Sequence, residues 1–257
     1  MFKLKIIFFL LLTIYMSNNI TAQDDVLDRT KPPKPGPPKD VQFPEYFDTT
    51  LPNGINVLVI ENNKIPAVSV RMVFKDAGSF YDGDKYGLAS LTAEMLTKGT
   101  SNRTATQIAE EIDFVGGSIN AGSDWDGSYI SLSVLRKHLN TGIEILADVA
   151  QNPVFEDEEL SRVKEQRLSS ILQGKDDAGH LSDKRFNKVV YGTLPYSNPA
   201  EGTEETVKKI TKADLQEFYK MNYYSGNLII AFVGDITKEE ALKITEEKFN
   251  KLPREGI

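Results

Sequence analysis

The chain has 257 residues, 40% of them hydrophobic, which is enough to build a sizeable folded core. Its formal net charge of −7 argues against a nucleic-acid partner. It contains no cysteine, which excludes disulfides, thiolate zinc sites and a cysteine nucleophile.

The N-terminal residues have the pattern of a secretory signal. Lys3 and Lys5 precede an apolar run over residues 6–15, and a short polar stretch then ends at Ala22. The apolar run is shorter than the roughly 20 residues of a membrane-spanning helix. We therefore predict a signal peptide over 1–22, cleaved after Ala22, with an uncleaved membrane anchor as the alternative. Cleavage leaves no transmembrane span and lowers the net charge from −7 to −9, because it removes two lysines and no acids. The predicted location is the periplasm or the envelope, or the medium after secretion.

Residues 23–46 are rich in proline, most densely over 31–39. This composition favours an extended polyproline II conformation and cannot bury a core. We predict a linker between the signal and the domain; the alternative is a docking motif for a proline-binding partner.

From residue 47 the pattern indicates a mixture of strands and helices. The turn signal Asn53-Gly54 precedes an alternating strand over 55–60, and a second strand follows Pro66 over 67–75. We expect these two strands to pair. Later strands are predicted over 118–121, 127–134 and 227–233. Helices are predicted over 86–96, 105–115, 139–150 and 156–173, and after Thr211 and Thr237.

The helix over 86–96 has two different faces. One buried stripe is expected from Leu88, Leu91, Thr92, Met95 and Leu96. At about 100° per residue, the opposite face carries Ser90, Ala93, Glu94 and Thr97. We expect this second face to be the one available for chemistry.

Five segments follow one another in the order typical of a single family. They are residues 51–54, 87–100, 116–121, 194–196 and 227–235. With them the chain resembles the N-terminal domain of the M16 peptidases, the pitrilysin, insulinase and mitochondrial-processing-peptidase group, over residues 47–253. The resemblance implies an α+β fold of the LuxS/MPP-like metallohydrolase type, a two-layer α/β sandwich with a mostly antiparallel mixed sheet covered by helices. It also implies that residues 254–257 begin a linker to a second half.

The resemblance also implies a zinc site that has lost its ligands. Active members carry His-x-x-Glu-His on this helix, so that two histidines share a face and bind one zinc ion, with the glutamate as general base. Those three positions correspond here to Ser90, Ala93 and Glu94. The later acidic ligand corresponds to Ser170, or to Ser169 with a shift of one residue. We expect no catalytic residue and no metal in this domain.

Other residues offer weaker alternatives. The two histidines, His138 and His180, are interpreted as surface or packing residues. Glu94 could pair with a lysine or bind a hard cation weakly. Residues 124–127, Asp-Trp-Asp-Gly, loosely resemble a calcium loop, but we interpret them as an acidic turn between strands.

The resemblance further implies a peptide-binding strand. Family members add extended peptides to a sheet edge, and the corresponding residues here are Gly117, Ser118, Ile119, Asn120, Ala121 and Gly122. The alternative is an ordinary internal strand.

The leading hypothesis is an exported, non-catalytic subunit that pairs with an active M16 peptidase subunit and helps to form a chamber for extended peptides. Zinc is then expected only in the partner or in a second half. The alternatives are a peptide-binding or scaffold module without a peptidase partner, and an enzyme whose zinc motif lies in its second half.

Overall fold

Six strands form one mixed sheet in the computed structural model, which describes residue 36 and residues 43–256. The strands are β1 (Phe47–Thr50), β2 (Asn56–Glu61), β3 (Ala67–Phe74), β4 (Ser118–Ser123), β5 (Ser128–Leu135) and β6 (Leu228–Gly234). The predicted signal peptide and most of the predicted linker lie outside the described residues.

The sheet order is β1-β2-β6-β3-β5-β4. Only β2 and β6 are parallel; every other neighbouring pair is antiparallel. The prediction that β2 and β3 pair is wrong, because β6 lies between them. Ile230 of β6 is the register partner of both Val57 and Met72. A strand that arrives about 170 residues after β2 thus separates two strands that are neighbours in sequence.

Eight α-helices accompany the sheet within the described residues. They are α1 (Leu88–Met95), α2 (Ala105–Phe114), α3 (Leu139–Gln151), α4 (Asp157–Gly174), α5 (Ala178–Tyr191), α6 (Glu204–Lys209), α7 (Lys212–Asn222) and α8 (Lys238–Lys248). The helices predicted from the sequence are confirmed to within about two residues at each end. Strand β1 and helices α5 and α6 were not predicted; α5 contains no buried residue, so no core-facing stripe marks it.

One face of the sheet carries the core. Alternate residues on the central strands, such as Val70, Met72, Leu132 and Phe232, are at most 1% exposed. Helices α1, α3 and α8 pack against the sheet. The intervening residues on β3 and β5, such as Arg71 and Ser133, are exposed. The predicted α+β architecture is confirmed, and β1 and β4 are its edge strands.

A search of the described helices for a membrane span finds none that is long and apolar enough to cross a bilayer.

Candidate functional site

Helix α1 begins at a buried carboxylate. Asp82, which is 5% exposed, accepts hydrogen bonds from the backbone N–H groups of Gly87 and Ala89, both at 2.7 Å. Burial raises the pKa of Asp82 to about 7, although the backbone donors oppose the rise. An acceptor at this position satisfies N–H groups that have no partner within the helix, so Asp82 fixes where α1 starts.

The two faces of α1 differ as the sequence predicts, with one exception. All five residues of the predicted stripe are buried. Ser90, Glu94 and Thr97 are partly exposed, but Ala93 is fully buried, so its predicted place on the accessible face is wrong. The reason is that α1 packs against β4, β5, α4 and α7 at once. Only a narrow strip of the helix remains accessible.

That strip is occupied by an arginine from α4. The Arg167 Nη1 atom donates to Ser90 Oγ at 2.9 Å and to the Glu201 carbonyl oxygen at 3.2 Å. Its Nη2 atom donates to Glu94 Oε2 at 2.6 Å. The Arg167 side chain is only 14% exposed, and that of Glu94 is 33% exposed. Ser90 and Glu94, the residues predicted to correspond to the two histidines of active members, are therefore joined through one guanidinium group.

The Glu201 carbonyl reaches Arg167 because two glycines allow a close backbone approach. Gly87 and Gly202 both have φ near +90°, a region that disfavours other residues. A Cβ atom on Gly87 would lie 2.8 Å from the Glu201 oxygen, and one on Gly202 would lie 2.5 Å from the Tyr86 oxygen. Thr206 Oγ1 also donates to the Tyr86 oxygen at 2.7 Å. These contacts hold the segment around Glu201 against the start of α1.

The predicted fourth position faces solvent. Ser170 and Ser169 are both exposed, and Ser169 Oγ donates to the Glu165 carbonyl oxygen of the same helix. Arg167, one turn earlier, is the α4 residue that contacts Ser90 and Glu94.

The donor set does not suit the zinc ion of active M16 peptidases. Zinc sites use imidazole, thiolate or carboxylate ligands, whereas Ser90 offers a neutral hydroxyl, Ala93 a methyl group, and Glu94 a carboxylate already paired with Arg167. Among the described residues no group of three or more His, Cys, Asp or Glu side chains could hold a metal ion. Zinc therefore does not fit this site.

A groove lies beside the open edge of β4. Its volume is about 600 Å³. It is lined by Thr97 and Lys98 just after α1, by helix α2, by residues 117–120, and by Glu159 and Arg162 of α4. The predicted peptide-binding residues 117–120 thus border a groove, while residues 121 and 122 continue the same edge strand. The predicted role of these residues stays a prediction.

The register shows which backbone groups β4 offers at this edge. Asp124 N donates to Gly127 O at 3.0 Å, so residues 124 and 127 form a hydrogen-bonded pair next to the turn. Such pairs alternate along an antiparallel ladder, so residues 122, 120 and 118 also direct their backbone groups to β5. The N–H and C=O groups of Ile119, Ala121 and Ser123 therefore point away from the sheet.

The weaker candidates are structural. Asp124 Oδ1 accepts from the N–H groups of Asp126 and Gly127, as in an acidic turn. The Trp125 indole N–H donates to the Asn198 carbonyl oxygen at 3.2 Å. His138 is half-buried, and His180 Nε2 lies 3.8 Å from Glu201 Oε1.

Sequence reasoning missed Arg167. The available signal was the replacement of a neutral ligand by the carboxylate of Glu94, which needs a positive partner when it is partly buried. The expectation named a lysine; the structure supplies an arginine from another helix.

Comparison with known proteins identifies the class. The family model described as insulinase (peptidase family M16) matches residues 56–204, and the model of the peptidase M16 inactive domain matches residues 209–256. The chain belongs to peptidase family M16.

Individual relatives agree with this assignment. A probable mitochondrial-processing peptidase subunit beta from Arabidopsis thaliana is 30% identical over 210 residues, which cover 81% of this chain and 39% of the relative. The non-peptidase homolog YmxG from Helicobacter pylori is 27% identical over 200 residues, covering 78% and 46%.

A solved structure, the peptidase M16 inactive domain from Pseudomonas fluorescens, has a TM-score of 0.78 and 29% identity, covering 82% of this chain and 52% of that one. The chain thus spans about half the length of these relatives or less.

Proposed function

We propose that this chain is an exported, non-catalytic member of family M16 that holds extended peptides at the β4 edge and pairs with a catalytically active M16 subunit. The observation that carries the loss of catalysis is the Arg167 guanidinium between Ser90 and Glu94. In this proposal the position of the general base is held by Ala93, whose methyl group cannot move a proton.

Two features support peptide holding. The N–H and C=O groups of Ile119, Ala121 and Ser123 can pair with an added strand, which needs no particular side chain. The groove beside residues 117–120 offers about 600 Å³ for the side chains of such a peptide.

The proposed pairing with an active M16 subunit is supported by the names of two relatives. One is named as a subunit of a processing peptidase, and another as a non-peptidase homolog. In this proposal zinc belongs to the partner, and export follows from the signal pattern of residues 1–22. The competing functions are a scaffold without a peptidase partner and an enzyme with a metal motif in a second half.

The catalytic part is tested with the full-length protein purified alone. We expect zinc well below one equivalent and no cleavage of unstructured peptides, but measurable binding of those peptides. Cleavage by the protein alone that a chelator abolishes would contradict the proposal and favour the enzyme with a second-half motif.

The pairing is tested by affinity purification of the full-length protein from its native host, followed by mass spectrometry and a peptidase assay. We expect a second M16 chain with an intact His-x-x-Glu-His motif and activity in the complex. Recovery of the protein without such a chain would favour the scaffold function.

A further inference from the structure

We propose that the Arg167 guanidinium acts as a built-in cation at the former metal position, linking α1, α4 and the segment around Glu201. This inference does not depend on peptide binding or on a partner. It assigns a structural role to an arginine at the position predicted to correspond to the zinc site of active relatives.

The geometry is that of a cation bound by oxygen atoms from separate segments. Ser90 Oγ and Glu94 Oε2 come from α1, and the Glu201 carbonyl oxygen comes from the loop before α6. Residues at i and i+4 share one helix face, so both α1 oxygens can reach one group. The planar guanidinium presents its N–H groups in a fixed fork, which lets one side chain serve all three acceptors.

The charges of Glu94 and Arg167 are also consistent with an arginine in place of a metal ion. Glu94 is the acidic residue at a position where active members carry a neutral histidine, and Arg167 supplies the compensating positive charge. Arginine stays protonated at every physiological pH. It is also covalently attached to α4, so a free metal ion must displace a partner that cannot diffuse away. Arg167 thereby keeps the site closed to metals.

The link has a mechanical consequence for the neighbouring groove. Thr97 and Lys98, just after α1, form one part of its lining. Glu159 and Arg162, which precede Arg167 on α4 by eight and five residues, form another. A contact between α1 and α4 therefore holds two walls of the groove in register. Without it, these walls are joined more weakly.

The test is chemical rescue of a cavity variant in the full chain. Arg167→Ala removes the guanidinium and leaves Glu94 without its ion-pair partner. We expect a melting temperature lower by about 4–10 °C. Methylguanidinium, at concentrations of roughly 10–50 mM, far below denaturing levels, should restore a substantial part of the loss by filling the vacated position.

Two controls make the rescue specific. Arg162→Ala removes another α4 arginine, whose exposed pair with Glu159 contributes little, so its melting temperature should change by less than about 2 °C and should not rise with methylguanidinium. The double variant Arg167→Ala/Glu94→Gln should lose the rescue. An unchanged melting temperature for Arg167→Ala, or an equal rescue in the double variant, would overturn the proposal.

A double-mutant cycle with less disruptive substitutions tests the link if Arg167→Ala does not fold. Arg167→Met and Glu94→Gln keep much of the side-chain volume, and each removes one charge of the pair; their combined effect is compared with the sum of the single effects. A coupling of at least about fivefold in the unfolding equilibrium constant supports the link. Strict additivity contradicts it.

Discussion

Replacing Ala121 by proline tests the peptide-binding edge with little damage to the fold. The Ala121 N–H points away from β5, so its removal breaks no hydrogen bond of the β4–β5 ladder. Proline is tolerated where the missing N–H faces outward from an edge strand. The pyrrolidine ring then projects into the space that an added strand must occupy.

The expected loss of affinity follows from these two effects. One backbone hydrogen bond contributes a net 0.5–1.5 kcal/mol, roughly. The ring also prevents the added strand from approaching closely, which weakens the neighbouring hydrogen bonds at Ile119 and Ser123. A total of about 1.5–3 kcal/mol corresponds to a Kd roughly 10 to 150 times larger.

The assay is fluorescence polarisation with a labelled unstructured peptide of about a dozen residues, using the full-length protein. Ala121→Ser is the matched control, because it retains the N–H at the same position. This control should bind like the unmodified protein.

The folded state of each variant is checked by its melting temperature. We expect Ala121→Pro to shift it by only a few degrees, as a surface change that removes no internal hydrogen bond. If folded Ala121→Pro and Ala121→Ser bind the peptide equally, strand addition at this edge is refuted.

Three further predictions concern the framework of the site. The Asp148 carboxylate is 4% exposed and accepts hydrogen bonds from four side chains, those of Thr100, Asn102, Arg103 and Asn152. Asp148→Asn should therefore lower the free energy of unfolding by about 2–4 kcal/mol, measured by urea titration. Burial alone raises the pKa of Asp148, but these donors lower it below its ordinary value of 3.8. The difference in unfolding free energy between the unmodified protein and Asp148→Asn should therefore shrink as the pH falls below about 4. A difference that stays constant with pH would contradict this. Asp82 should have the opposite pH dependence, because its pKa is about 7 in the folded protein and 3.8 ordinarily. Its contribution to the free energy of unfolding is full below pH 4 and is lost as the pH rises to 7, at up to about 1.4 kcal/mol per pH unit. Asp82→Asn should flatten this dependence of the unfolding free energy on pH. An unchanged dependence would mean that other titratable groups cause it. Gly202→Ala places a Cβ atom 2.5 Å from the Tyr86 oxygen at φ +88° and should cost about 1–3 kcal/mol, whereas Gly83→Ala, with φ +61° and open space, should cost less; equal costs would refute the close-approach argument.

The sequence alone determined the local features of this protein. The spacing of Leu88, Leu91 and Met95 predicts the core-facing side of α1, because a helix repeats every 3.6 residues wherever it lies. The Thr104–Gln107 and Thr211–Asp214 capping boxes locate the starts of α2 and α7, and both are formed. The same local reading shows that the His-x-x-Glu-His residues are replaced.

Only the tertiary structure decided the relations between distant segments. It inserts β6 between β2 and β3, buries Ala93 among several elements, and brings Arg167 to Ser90 and Glu94 across more than 70 residues. Periodicity carries no information about such contacts, since it describes one element at a time. The sequence therefore determined that the His-x-x-Glu-His motif is missing, whereas the packing of α4 against α1 decided that an arginine contacts Ser90 and Glu94.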